Sequence, residues 1–157
     1  MTNGLRNRNA GHSWERDIVS MLKDIGFSQA ATSRLVSKFR DDQKIDIVNK
    51  DELVNGRFPY NIQAKCTSYK MDYDKELKKL PNDIGIPNVI FHKATKKVGT
   101  RFLPKGYYAF LDLKDFLTII ESNEKHKKAY QLLNSYFDYI PEDEKIKVDK
   151  LLKQLKL

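Results

Sequence analysis

Asp46 stands between Ile45 and Ile47, and an acid in so apolar a run is costly to bury unless it is paired or binds a cation. Further along, Asn61, Gln63 and Lys65 alternate with Tyr60, Ile62, Ala64 and Cys66. In a strand this alternation puts Gln63 and Lys65 on one face, directed at one region of space. Glu15 precedes Ile18 and Val19 by one helical turn and Leu22 by two, so it borders the apolar face of a helix. Two carboxylates, an amide oxygen and an ammonium would then converge. Hard oxygen donors of this kind suit Mg²⁺, with Mn²⁺ as its substitute. A lysine beside such an ion can hold or deprotonate an attacking water and stabilise developing negative charge. A plainer reading stays open, in which Asp46 pairs with Lys65 without metal and Glu15 only favours the helix dipole.

These residues need a scaffold, and the sequence predicts one. Trp14, Ile18, Met21, Leu22 and Ile25 recur at helical spacing, giving a helix over 13–25 stopped by Gly26. Strands are predicted over 30–35, 44–49 and 60–66, the last two as an antiparallel hairpin turning at Asn55-Gly56. A charged helix over 72–80, strands over 87–93 and 106–111 about a basic loop (96–105), and helices over 112–121, 124–139 and 141–157 complete the expectation. The class is α/β.

Residues Gly11-His12-Ser13-Trp14-Glu15-Arg16-Asp17, with Leu22 and Gly26-Phe27 after them, then Ile45-Asp46-Ile47 and Gln63-Ala64-Lys65, resemble the PD-(D/E)XK nuclease superfamily. Within it they look like the archaeal and phage-type Holliday junction resolvases. The likeness is specific over 11–66, looser to about 117, and does not include the tail. It implies a restriction-endonuclease-like central mixed β-sheet flanked by helices, here with a helical C-terminal extension. It implies Mg²⁺-dependent hydrolysis of phosphodiesters in branched DNA by a homodimer. On this resemblance Glu15, Asp46 and Gln63 are metal ligands with the Ala64 carbonyl, Lys65 is the motif lysine, and Ser33 and Arg34 lie near the scissile phosphate. There are two departures. Ile45 stands where the family has proline, and Gln63 where it has an acid, so Gln63 would ligate through its carbonyl without adding charge.

The chain has 157 residues, room for one nuclease-like domain over 11–122 between a basic arm (1–10) and the extension (123–157). A net charge of +8 favours a polyanionic partner. Arg6, Arg8, Lys38, Arg40, Lys96, Lys97, Arg101 and Lys105 fall in the predicted arm and loops, where DNA phosphates would be met. No apolar run is long enough for a membrane span, and the N-terminus lacks the apolar segment of a secretory signal. One cysteine, Cys66, excludes an internal disulfide and points to a reducing, cytoplasmic setting, the host's if the chain is phage-encoded. Three scattered histidines form no zinc site; His92, in an apolar run, is expected to be structural and His126 solvated. Two rival functions remain: a restriction- or repair-type nuclease on linear duplex, and a non-catalytic DNA-binding protein on the same scaffold, which Gln63 favours.

Overall fold

The computed structural model describes residues 3–136, 141 and 144–146. It is α/β, with a five-stranded mixed sheet flanked by helices. The first helix, α1 (Asn3–Asp24), is longer than predicted. The expected loose arm is helical from Asn3 onward, because no proline interrupts its ladder. Trp14, Ile18 and Leu22 form its buried stripe, while Met21 and Ile25 are exposed. At its end the Phe27 N–H bonds the Leu22 carbonyl (2.9 Å) and the Gly26 N–H that of Lys23 (3.0 Å). Gly26 has φ 106°, so the glycine caps the helix as its position predicts.

Strand β1 (Ala30–Thr32) is shorter than the predicted 30–35, because Ser33 starts the one-turn helix α2 (Ser33–Val36). Helix α3 (Lys38–Asp42) follows, capped by Ser37. Lys44 takes a left-handed conformation (φ 65°), which delays β2 to Ile47–Asn49. The connection to β3 (Asn61–Thr67) is the one-turn helix α4 (Glu52–Asn55), so Asn55-Gly56 ends a helical turn where a β-turn was predicted. Strands β1 and β2 pair antiparallel, as do β2 and β3, with Ile47 opposite Ile62.

Helix α5 (Tyr73–Leu77), capped by Asp72, carries the chain across to β4 (Asn88–Val98), which runs parallel to β3. Asn61 pins that register: its Nδ2 donates to Asn88 Oδ1 (2.9 Å) and its Oδ1 accepts from Arg57 (2.9 Å). Strand β5 (Arg101–Leu111) closes the order β1-β2-β3-β4-β5, antiparallel to β4. The predicted basic loop is therefore strand, turned at Gly99-Thr100, where Gly99 has φ 59°. Glycine with positive φ first in a two-residue turn matches the twist of a hairpin.

Each sheet face has its own core. Trp14, Ile18, Leu22, Ala30, Ile47, Phe58, Ile62 and Val89 pack under α1. Ile45, Val48 and Leu80 pack on the other side, with Leu77 against them. Met1–Asp112 forms one compact unit and Leu113–Leu157 a second; the sequence placed this division at 122/123. In the second unit, α6 (Leu113–Tyr136) is one helix, where two were predicted. Ser122 and Asn123 have weak helix propensity but do not break a ladder. Most of the predicted final helix over 141–157 lies outside the described residues. Among the described residues no helix is long and apolar enough to cross a membrane.

Candidate metal centre at the β2–β3 fork

Asp46 sits where β2 and β3 part. Its N–H donates to the Ile62 carbonyl (2.8 Å), and its Oδ2 accepts the Ala64 N–H (2.7 Å). Backbone and side chain thus bracket Gln63. The Asp46 carbonyl accepts the Ser33 N–H (2.9 Å), which fastens the start of α2 to the same point. Burial pushes the Asp46 carboxyl up to about 6, against the Ala64 hydrogen bond and the Lys65 charge.

Glu15 comes from α1. Its Oε2 meets Arg34 Nη2 at 2.9 Å, and its side chain is only 14% exposed. Its carboxyl is raised above the ordinary value, first by burial and then by the Asp46 charge, with Arg34 opposing. Each acid is therefore held in a setting that disfavours its own ionisation, and Asp46 adds to that cost at Glu15. Asp41 of α3 contributes a further negative charge, which raises both carboxyls. Sequence reading missed Asp41, because its approach depends on the α2–α3 turns that follow β1.

Gln63 is buried, and its Oε1 has no hydrogen-bond partner among the described residues; nor do Ser33 Oγ and Thr32 Oγ1. Lys65, two residues along β3, meets Glu76 Oε2 of α5 at 2.8 Å. Burial alone would raise the Glu76 carboxyl, but hydrogen bonds and charge from Lys65 and Lys79 overcome it and hold the group below its ordinary value. Glu76 was also missed, since its heptad-free, charged helix reads as solvated surface.

The structure thus gathers Glu15, Ser33, Arg34, Asp46 and Ala64 by direct contacts, and Lys65 lies within electrostatic reach of Asp46. Ala64 enters through its N–H, where a carbonyl role was expected. Among the described residues no three His, Cys, Asp or Glu side chains gather as a metal site. The available donors are two carboxylates plus neutral oxygens. That set, with the orphaned Gln63 oxygen, fits a hard divalent ion that keeps several waters. Two clefts flank the β4–β5 hairpin, and neither is lined by Glu15, Asp46, Gln63 or Lys65.

The expected DNA contacts divide. Arg8 is exposed on α1; Arg6 is in the same helix, its side chain outside those described. Lys38 is exposed and pairs with Asp42. Arg40 is turned inward to Glu52 (2.9 Å) and Gln43, so it ties α3 to α4 where a DNA contact was expected. Lys96 and Lys97 on β4 and Arg101 and Lys105 on β5 are exposed. His92 is buried between Thr67 Oγ1 (2.9 Å) and Tyr73 Oη (3.0 Å), the structural role expected of it, and burial lowers its pKa. Cys66 packs beside the α1 core, and burial raises its thiol.

No family model matches this chain, and neither curated proteins nor solved structures give a significant match.

Proposed function

We propose that this chain is a metal-dependent endonuclease acting on branched DNA, resembling the Holliday junction resolvases of the PD-(D/E)XK superfamily. The observation that carries the reading is a pair of carboxylates, Glu15 and Asp46, both raised in pKa and with the charge of Asp46 felt at Glu15, together with a buried Gln63 oxygen that has no hydrogen-bond partner among the described residues. Surplus acceptor oxygen of this kind calls for a cation. Mg²⁺ or Mn²⁺ would be held by Glu15, Asp46 and Gln63, and would supply Lewis acidity toward a phosphodiester and its attacking water. Lys65 would stabilise charge developing on the phosphate, and Arg34 would orient the phosphate once its pairing with Glu15 loosens. The mixed sheet between helices is the architecture the resemblance implies. Action as a homodimer belongs to the same proposal and is read by light scattering.

The test is cleavage of a synthetic four-way junction in Mg²⁺ and in Mn²⁺, beside a linear duplex. Cutting of the junction supports the reading; preference for the duplex would move it to a restriction- or repair-type nuclease. A junction left intact in both metals overturns it. One observation favours a non-catalytic DNA-binding role: Lys65 and Arg34 are both paired internally. A Mn²⁺ titration bears on the choice, since absence of binding that depends on Asp46 would support the non-catalytic role.

A further inference from the structure

Beyond Thr67 the sheet narrows to the β4–β5 hairpin, and a cleft of about 520 Å³ opens beside it. Thr67 lines this cleft and follows Lys65 by two residues, so by strand alternation both stand on one sheet face. Its wall carries Lys70, Lys96, Lys97 and Lys105 and no carboxylate. Among the described residues none of these four lysines has an ion-pair partner.

Two aromatic rings stand at the same opening. Tyr69 is 70% exposed and Tyr108 is 47% exposed. The rings beneath are fixed. Tyr73 stacks on Phe110 at 3.5 Å between centroids, and its hydroxyl bonds His92. Tyr108 lies 6.0 Å from Phe110 and over Gly106, where a Cβ would strike its ring. Solvated aromatic faces beside unpaired ammonium groups are the two parts of a single-strand site. The lysines meet phosphates, and the rings receive bases that no partner strand conceals. A closed duplex hides its base faces and could use only the lysines.

We propose that this cleft, two residues beyond Lys65 on β3, seats a short run of unpaired DNA, the strand that leaves a branch point. The choice of DNA rests on the endonuclease reading above. The cleft lies within the range of small-ligand sites, roughly 300–1,000 Å³, and so admits a nucleotide or two but no helix.

Fluorescence anisotropy in EDTA tests this, with labelled oligo(dT) and a closed duplex hairpin as probes. The wild-type chain is expected to bind oligo(dT). Tyr69→Leu is expected to weaken that binding about tenfold and the duplex less than about twofold, whereas Tyr69→Phe keeps it. The double substitution of Lys96→Ala and Lys105→Ala is expected to flatten the slope of log K against log salt by about 1.4 for oligo(dT). Absence of oligo(dT) binding overturns the proposal. So does equal loss on both probes, no loss with Tyr69→Leu, or equal competition by polyglutamate. Because EDTA stops cleavage, a chain that binds oligo(dT) through Tyr69 yet never cuts sinks the nuclease reading alone. A chain that cuts but ignores the Tyr69 substitution sinks this one alone.

Discussion

Asp46 Oδ2 holds the Ala64 N–H at 2.7 Å, across the fork where β2 leaves β3. The carboxylate that would bind metal therefore also extends the β2–β3 pairing by one hydrogen bond. Without it the Ala64 amide would lose its partner at the point where the ladder ends. Structural and chemical roles meet in one side chain, and substitutions can separate them.

Asp46→Asn keeps an oxygen for the Ala64 N–H and removes the charge. Cutting should be lost while the fold persists. The metal-free wild-type chain has its Asp46 carboxyl at about 6. Between the ordinary carboxylate value and that point the folded state retains a proton that the unfolded chain has released. Stability contributed by this group therefore falls as pH rises through that window, by at most on the order of 3 kcal/mol. Melting temperatures in EDTA from pH ~4 to ~7 should show the fall in wild type and a flatter profile in Asp46→Asn. A steeper profile in the variant would contradict the assignment.

Gln63→Glu supplies a third carboxylate. Mn²⁺ binding by calorimetry should tighten about tenfold or more, and cutting should be retained or increased. The same change buries a new charge, so without metal the variant should melt below wild type, and Mn²⁺ should raise its Tm further than it raises that of wild type. Loss of cutting despite tight metal binding would remove Gln63 from the ligand set.

Lys65→Ala should reduce cutting by about a hundredfold or more, with duplex binding changed by less than about threefold. It also takes from Glu76 a hydrogen bond that helps hold its carboxyl low. The Glu76 pKa, followed by NMR, should therefore rise. An unmoved Glu76 would mean that the pair at 2.8 Å does not persist in solution.

Trp14→Phe removes the indole donor from the Phe91 carbonyl, a bond of 2.9 Å. Losing that part-buried hydrogen bond should cost ~1 kcal/mol by urea unfolding. Trp14 also fixes the rotation of α1 just before Glu15, so Mn²⁺ affinity should fall with stability. Unchanged affinity in a destabilised variant would show that Glu15 is set by Arg34 alone.

Much of this arrangement was legible in the residues. The Trp14–Ile18–Leu22 stripe, the Gly26 cap and the alternation from Tyr60 to Cys66 are local signals, and local periodicity suffices to read them. The hairpin of β2 with β3 followed from apolar runs on either side of a polar connection. What escaped were features set by tertiary context. Lys44 adopts a left-handed backbone that no side chain announces. The run from Lys96 to Lys105 looks like a loop because its charges hide the β pairing that Gly99 makes possible. Asp41, Glu76 and the inward turn of Arg40 depend on short helices whose placement is decided by the sheet beneath them.

The hairpin of β4 and β5 outruns its neighbours, since β3 stops opposite Ala94 and a bulge follows at Ala94/Thr95. A two-stranded ribbon twists and bends more readily than a wide sheet. The Thr95–Pro104 stretch can therefore flex on that bulge as on a wrist, while Glu15 and Asp46 stay seated in the stiff body. Its amides should exchange with deuterium well before those of Ile62 or Ile90, which are buried in the body of the sheet.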